Sequence, residues 1–269
     1  MSVLNRILLA LFYVAAGALA LKIAASPQPQ ELKVAAAADL TSAMEKLGPA
    51  FEKQSGVHIT VSLGSSGNFF AQIQNGAPFD VFLSADKSYP EKLEQAGKTE
   101  GAVVPYARGR LVIWTPNSSN LHFPTTSNQV LDGNLDLLSG PSVHKIAIAN
   151  PEHAPYGRAA VAALTHFGVY DHVKPKIVMG ENISQTAQFA QSGNADVALI
   201  ALSLAATGSL QSQGRWVLLP EDSYPPIEQA GVALKSSSNK AQAKQFLDFL
   251  TSPAGQAMLR DFGFGIPSK

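Results

Sequence analysis

The chain has 269 residues, of which 46% are hydrophobic and 15% are charged. This length is enough for one large domain or two lobes. Twenty basic and twenty acidic side chains give a formal net charge of zero. Bulk charge therefore does not recruit nucleic acid or an acidic membrane surface, and an anionic ligand must be held by local geometry. The sequence has no cysteine, which excludes disulfides, thiolate metal sites and a lipid-bearing cysteine.

The N-terminal segment is typical of a secretory signal. Arg6 precedes an apolar run over 7–21, and Ala18-Leu19-Ala20 supplies the small residues at which such signals are cut. The run is shorter than the roughly 20 residues that cross a bilayer. We predict a cleaved export signal over residues 1–25 and a soluble mature protein in the periplasm. An uncleaved N-terminal anchor is the alternative.

A strand-to-helix junction lies at Asp39. The apolar run over 32–37 predicts a buried strand, and helical spacing from Leu40 to Phe51 predicts a helix that stops at Gly56. We expect Asp39 at the N-cap of this helix, where an aspartate needs no ligand to explain it. A ligand contact is the alternative role for Asp39.

A second junction follows at the loop Gly64-Ser65-Ser66-Gly67. Apolar and polar residues alternate over 57–63, which predicts a strand, and helical spacing begins at Phe69. The loop places unpaired backbone N–H groups, two hydroxyls and the positive end of a helix dipole at one point. We interpret it as a receptor for a small anion. The alternative is a turn whose serines only cap the helix.

The second half of the chain repeats this β-α order. Strands are predicted at 145–149, 176–179 and 196–200, and such an order implies parallel sheets with right-handed crossovers. Ligands bind at the carboxyl ends of parallel strands. Tyr156 is therefore either a ligand contact or a ring that plugs its loop, and Ile183 packs in the core while its backbone N–H stays available. We expect Arg158 to be a solvated charge.

Motifs for catalysis are weak. Ser84-Ala85-Asp86-Lys87 has S-x-x-K spacing without an S-D-N or K-T-G partner, and Ser65 and Ser66 do not fit G-x-S-x-G. The six histidines show no metal-ligand spacing, and no nucleotide-binding glycine motif is present. We predict a non-enzyme with no catalytic residue, no bare metal cation and no cofactor. A secreted hydrolase that uses Ser65 or Ser66 is the alternative from another functional class.

Four motifs, in chain order, resemble those of the periplasmic molybdate-binding proteins of ABC transporters: AAAADLT at 35–41, GSSG at 64–67, GAPFDVFLSAD at 76–86 and NPEHAPYG at 150–157. The resemblance implies an α/β, two-lobed type II periplasmic-binding-protein fold, each lobe a mostly parallel sheet flanked by helices. We expect lobe 1 over 31–112 plus 230–269 and lobe 2 over 113–229. The implied role is a monomeric receptor that holds molybdate or tungstate between the lobes and delivers it to a membrane permease.

Carried over by position, the family's oxyanion contacts fall at Asp39, Ser66, Tyr156, Ile183 and Ala201. Many members have a tyrosine where this chain has Ala201 and an alanine where it has Tyr156, so we infer that Tyr156 supplies the phenol. A carboxylate at Asp39 would repel a doubly charged oxyanion unless its side chain caps the helix and only its backbone N–H faces the ligand. If the ligand instead brings a proton for this carboxylate, phosphate is the alternative. The sequence does not rank molybdate, tungstate, sulfate and phosphate.

Overall fold

Ten β-strands form the framework of the protein. The computed structural model describes residues 31–267, and the predicted export signal over residues 1–25 lies outside this part of the chain. The strands are β1 Glu31–Ala37, β2 His58–Gly64, β3 Val81–Ser84, β4 Thr99–Gly109, β5 Leu111–Pro116, β6 Ile146–Ala149, β7 Ile177–Gly180, β8 Val197–Ala201, β9 Gly214–Leu218 and β10 Ile227–Leu234.

The helices lie mainly between consecutive strands. They are α1 Thr41–Ser55, α2 Ser66–Gln74, α3 Ser88–Gln95, α4 Pro155–His166, α5 Tyr170–Val173, α6 Ile183–Gln191, α7 Leu202–Ala205, α8 Gly208–Gln213, α9 Lys240–Thr251 and α10 Pro253–Asp261, with 3-10 turns at Ala38–Leu40, Asp136–Ser139 and Lys174–Lys176. Local sequence explains their ends. Gly56 closes α1 in the left-handed conformation with φ 72°, and Ser252 caps α10 with Pro253 at its first position.

The strands form two five-stranded sheets with the same pattern of neighbours. The first sheet has the order β2-β1-β3-β10-β4, and the second has the order β7-β6-β8-β5-β9. In each sheet the first three strands are parallel, the fourth runs antiparallel to both of its neighbours, and the fifth again runs in the direction of the first three. The α/β fold class is therefore confirmed, and each sheet is mixed. The predicted repeat of the first half in the second appears as this shared strand order.

A buried or half-buried aspartate fixes the parallel strands of each sheet at the end remote from the helix starts. In the first sheet, Asp80 precedes β3, and its carboxylate accepts hydrogen bonds from the Lys33 N–H at 2.7 Å and the Ser237 hydroxyl at 2.5 Å. In the second sheet, Asp196 precedes β8 and accepts from the N–H groups of His144 and Lys145 at 2.7 and 2.8 Å. Each carboxylate therefore sets the register of the central strand against its parallel neighbour.

Strand β4 is the element that the sequence pattern did not reveal. It is eleven residues long and carries Gly101 and Pro105, which interrupt the usual alternation of a strand. The sheet tolerates Pro105 because β4 is an edge strand beside β10, and a single bridge from Arg108 to Gly265 lies elsewhere along it. The contacts that stabilise β4 thus come from a strand more than 100 residues later in the chain.

The chain passes between the two sheets in two places. Only Arg110 separates β4 from β5, and residues 219–226 join β9 to β10. The last two helices, α9 and α10, then pack on the first sheet and on α1, as the sequence predicted. Among residues 31–267, no helix combines the length and the apolar character that a membrane crossing needs.

Replacing Asp80 with alanine tests the carboxylate anchor of the first sheet. Asp80→Ala leaves a backbone N–H and a buried hydroxyl without their acceptor, so we expect a loss of about 2–3 kcal/mol in the free energy of unfolding. Urea denaturation measures this loss. Asp248→Ala is the control, since Asp248 forms an exposed pair with Lys244 within α9 and should change stability by less than about 0.5 kcal/mol. Equal effects of the two variants would contradict the anchor role.

Candidate functional site

Two parallel strands from each sheet end at one small cavity. Strands β1 and β2 of the first sheet and β6 and β7 of the second lead there into helix starts. The cavity is small, with a volume of about 10 Å³, and is lined by Ala37, Ala38, Asp39, Gly64, Ser65, Ser66, Ala85, Ala154, Pro155, Tyr156 and Ile183. The structure therefore brings together four of the five positions that the sequence analysis carried over as ligand contacts, namely Asp39, Ser66, Tyr156 and Ile183. Ala201 is not in this lining and pairs with Leu111 at the buried end of β8.

At the helix starts of the second sheet, the other hydrogen bonds leave two backbone N–H groups for a ligand in the cavity. At the start of α6, the Asn182 side chain accepts hydrogen bonds from the N–H groups of Ser184 and Gln185 at 3.0 Å. The N–H of Ile183 is the group in this turn that the cap does not reach. At the start of α4, Pro155 has no N–H, and Gly157 donates to the Ala154 carbonyl at 3.0 Å. The N–H of Tyr156 lies between them on the cavity wall.

The two serines of the loop before α2 are buried and line the cavity. The Ser66 hydroxyl accepts a hydrogen bond from the Ala85 N–H at 3.0 Å, so its own hydrogen remains to be donated. The Ser65 hydroxyl has no hydrogen-bond partner within the described part of the chain. Ser65 is at the N-cap of α2, yet its side chain makes no capping hydrogen bond. The interpretation that these serines only cap the helix is therefore wrong.

The expected N-cap role of Asp39 is also wrong. A 3-10 turn over Ala38–Leu40 separates β1 from α1, so Leu40 occupies the cap position of α1 and Asp39 lies before it. The Asp39 side chain turns away from the helix. Its Oδ2 accepts hydrogen bonds from the Tyr156 hydroxyl at 3.0 Å and from the Gln229 amide. Its Oδ1 is buried and has no partner among residues 31–267.

The Tyr156 phenol donates a hydrogen bond to Asp39, and its contact with a ligand stays a prediction. The hydroxyl reaches the carboxylate because residue 109 is a glycine; a Cβ there would lie 2.2 Å from the Tyr156 hydroxyl oxygen. The phenol thus crosses between the two sheets, since Asp39 follows β1 of the first sheet and Tyr156 begins α4 of the second. Tyr156 also lines the cavity, and its backbone N–H, in the first turn of α4, is left for a ligand.

Gln229 is the site residue that the sequence analysis missed. It is fully buried in β10, and the Tyr106 hydroxyl donates to its Oε1 at 2.9 Å while its Nε2 donates to Asp39. One signal was available in the sequence: Gln229 is an uncharged polar residue directly before the apolar run at 230–234. If such an amide is buried with the run, it needs hydrogen-bond partners. Gln229 Oε1 is the nearer of two acceptors for the Tyr106 hydroxyl, at 2.9 Å against 3.3 Å for the Ser84 carbonyl, and with this bond Nε2 faces Asp39.

Burial controls the charge of the groups around Asp39. Burial raises the pKa of Asp39 to about 6, although hydrogen bonds from Gln229 and Tyr156 act in the opposite direction. Burial, reinforced by the nearby Asp39 carboxylate, also raises the pKa of Tyr106 and Tyr156 well above the ordinary tyrosine value. The two phenols therefore remain neutral donors while Asp39 titrates near neutral pH.

Contacts between the lobes surround the cavity. The Gly67 N–H donates to the His153 carbonyl at 2.9 Å, and the Asn68 amide donates to the Glu181 carboxylate at 2.5 Å. On another side, Arg158 forms an ion pair with Asp86 at 2.5 Å. The expectation that Arg158 is simply solvated is therefore wrong. These contacts hold the strand ends of the two sheets against each other, with the cavity enclosed.

The family model for bacterial extracellular solute-binding proteins matches residues 32–265. The chain belongs to this family. Among characterised extracellular solute-binding proteins, it is similar to the molybdate-binding protein ModA of Azotobacter vinelandii, with 37% identity over 91% of this chain and 93% of that protein. It is also similar to ModA of Rhodobacter capsulatus, with 36% identity over 92% and 93% of the two chains.

A solved structure of another extracellular solute-binding protein supports the same relationship. The periplasmic molybdate-binding protein of Azotobacter vinelandii superposes with a TM-score of 0.78 and 35% identity, over 88% of this chain and 100% of that one. The resemblance that the four sequence motifs indicated is therefore confirmed. The sequence identity is high enough for the likeness to extend beyond the fold alone.

The raised pKa of Asp39 makes a prediction about stability. Because the folded-state pKa of about 6 lies above the unfolded value, the folded protein binds the proton more tightly, and stability falls as pH rises through the folded pKa. Asp39→Asn removes this titration. We expect the variant to be more stable than the parent by about 1–3 kcal/mol at pH 8. Below about pH 4, where both states carry the proton, this advantage disappears.

Urea denaturation of the two proteins without ligand, from about pH 4 to pH 8, measures this difference. Asp132→Asn is the control, because Asp132 is exposed. A stability advantage of Asp39→Asn that stays constant over the whole pH range would contradict the assignment.

Proposed function

We propose that this protein captures molybdate, or tungstate, in the cavity between its lobes and delivers it to the membrane permease of an ABC transporter. It acts as a monomer outside the cytoplasm, after removal of residues 1–25, without a cofactor and without chemical change to the ligand. The single observation that carries the proposal is the convergence of helix starts from both sheets on one buried cavity. The similarity to molybdate-binding relatives over most of the chain supports the choice of ligand.

The cavity brings together hydrogen-bond donors that suit an anion. None of the described residues in its lining is basic, so the positive potential comes from helix dipoles, backbone N–H groups and hydroxyls. The contributing groups are the Ser66 hydroxyl and the N–H groups of Tyr156 and Ile183. Donors from opposite sides suit a small tetrahedral oxyanion, because its oxygens can accept hydrogen bonds from several directions at once.

Closure of the lobes is part of this binding mode. The donors on Ser66 belong to the first sheet and those on Tyr156 and Ile183 to the second, so all of them reach one ligand only when the lobes meet. Closure also removes water from the cavity, which strengthens each hydrogen bond to the anion. The closed surface then distinguishes the loaded receptor from the empty one for a permease.

The alternative functions receive no support from the site. A hydrolase that uses Ser65 or Ser66 requires a base, and the described residues lining the cavity include no histidine. Phosphate and sulfate have the same tetrahedral shape as molybdate, so only their measured affinities can distinguish them as ligands. Calorimetric titration of the mature chain with molybdate, tungstate, sulfate and phosphate decides between them. We expect tight binding of the first two only, and tight binding of phosphate alone would overturn the ligand assignment.

Ser66→Ala tests the hydroxyl that the first lobe contributes. The variant keeps the backbone but loses one donor to the buried anion, so we expect binding to weaken by about 1–3 kcal/mol. Calorimetric titration with molybdate measures the change. Ser62→Ala is the matched control, since Ser62 is an exposed serine on β2, the strand that leads to Ser66. Unchanged affinity in Ser66→Ala would place the ligand elsewhere.

Arg158→Met tests lobe closure without altering the cavity. Arg158 and Asp86 pair across the lobes but lie outside the cavity lining. Their side chains are 39% and 28% exposed, so screening by solvent limits the expected loss of molybdate-binding free energy to about 0.5–1 kcal/mol. We expect this loss as faster molybdate release in stopped-flow measurements. Lys244→Met, which breaks a pair within one helix, should leave release unchanged, and equal rates in both variants would argue against a closure role.

A further inference from the structure

Asp39 presents a chemical problem at the proposed oxyanion site. It is completely buried and lines the cavity, where an ionised carboxylate would repel a dianion across a medium of low dielectric constant. Its two oxygens have different surroundings. Oδ2 accepts hydrogen bonds from Tyr156 and Gln229, whereas Oδ1 is buried without a partner in the described part of the chain. An unpaired buried carboxylate oxygen is costly unless a ligand or a proton satisfies it.

We propose that Asp39 takes up one proton when the oxyanion binds and that the protonated Oδ1 donates a hydrogen bond to a ligand oxygen. The proton comes from the bulk solvent and forms the Oδ1–H bond, so the carboxyl is neutral in the complex. This inference rests on the proposed function. It assigns Asp39 a specificity role, because a carboxyl donor suits an oxyanion whose oxygens are all unprotonated acceptors.

The hydrogen-bond network fixes which oxygen carries the proton. The Tyr106 hydroxyl donates to Gln229 Oε1, which turns Gln229 Nε2, a group that can only donate, towards Asp39 Oδ2. The Tyr156 hydroxyl donates to the same oxygen. With two donors directed at it, Oδ2 is the oxygen that must remain an acceptor. A proton on Asp39 is therefore placed on Oδ1.

The surroundings leave Asp39 as the group that responds to pH. Its neighbours from α4, β4 and β10 are Tyr156, Tyr106 and Gln229, and the two phenols are neutral at neutral pH because burial raises their pKa values. Tyr224, whose hydroxyl accepts from the Leu111 N–H, also has its pKa raised by burial. Burial likewise raises the pKa of Asp39 to about 6, so the carboxyl is ready to accept a proton when a dianion arrives.

No charged group among the described residues forms an ion pair with Asp39. Of the elements packed against its turn, α6 and α7 carry no titratable side chain. On α1 and β2 the titratable residues are all exposed: Glu45, Lys46, Glu52, Lys53 and His58. Where the chain passes between the sheets, the charges pair with one another: Arg108, Arg110, Glu221 and Glu228.

Calorimetric titration with molybdate in buffers of different ionisation enthalpy counts the protons taken up. Between about pH 6 and pH 9 molybdate remains a dianion, so uptake reports on the protein. We expect uptake to approach one proton per molybdate at about pH 8 and to fall well below one at about pH 5. The dissociation constant should rise about tenfold for each pH unit above the pKa of Asp39.

Asp39→Asn is the informative variant, because the amide reproduces the neutral carboxyl. Its oxygen can accept from Tyr156 and Gln229, and its NH₂ then occupies the position of the protonated Oδ1. We expect this variant to bind molybdate with an affinity independent of pH, without proton uptake, and at about pH 9 more tightly than the parent by at least tenfold. Asp132→Asn, an exposed control, should keep the pH dependence of the parent.

The outcomes separate this inference from the proposed function. If the parent binds molybdate tightly with no proton uptake and a constant affinity from about pH 6 to pH 9, the inference is wrong and the proposed function stands. Proton release on binding would also overturn it. If none of molybdate, tungstate, sulfate and phosphate binds to the parent, the proposed function fails. Because proton uptake is measured on the parent protein, the test does not depend on the folding of any variant.

Discussion

The structure depends on one constraint: the parallel strands of two separate sheets must end at the same point. A site without basic side chains attracts an anion only through partial charges on helix starts, and these charges act over about one helical turn. The helix starts must therefore be placed accurately. Asp80 and Asp196, at the opposite ends of the parallel strands, tie each central strand to its neighbour. The same pattern in both sheets provides matched walls for the cavity.

Much of this frame could be predicted from the sequence because its signals are local. Apolar runs, helical spacing and the Gly-Ser loop lie within short windows, so the strand ends and the helix starts could be placed to within a few residues. Those junctions also determined which residues line the cavity. The edge strand β4 could not be found in this way, since Pro105 and Gly101 obscure its pattern and its stability comes from pairing with β10.

The roles of the side chains in the site could not be predicted, since they depend on distant residues. Asp39 is held by Gln229, which is 190 positions away, and by Tyr156, which is 117 positions away. The position of the Tyr156 phenol further requires the absence of a side chain at Gly109. Nothing near Asp39 in the sequence distinguishes a helix cap from a carboxylate that contacts two lobes. A buried network of this kind becomes visible only when all its members are placed.

The hydrogen bond from the Tyr156 phenol to Asp39 changes which groups are left to select the ligand. With that hydroxyl bonded to Asp39, the donors left for an anion include the N–H groups of Tyr156 and Ile183, and the positions of these groups are set by how closely the backbones approach. Gly67 and Gly157 control this approach. A Cβ on Gly67 would lie 2.8 Å from the backbone of His153 in the other lobe, and one on Gly157 would lie 2.1 Å from the Ala149 carbonyl oxygen. These backbone contacts set how closely the walls of the cavity approach each other, and a rearrangement of side chains cannot relax them.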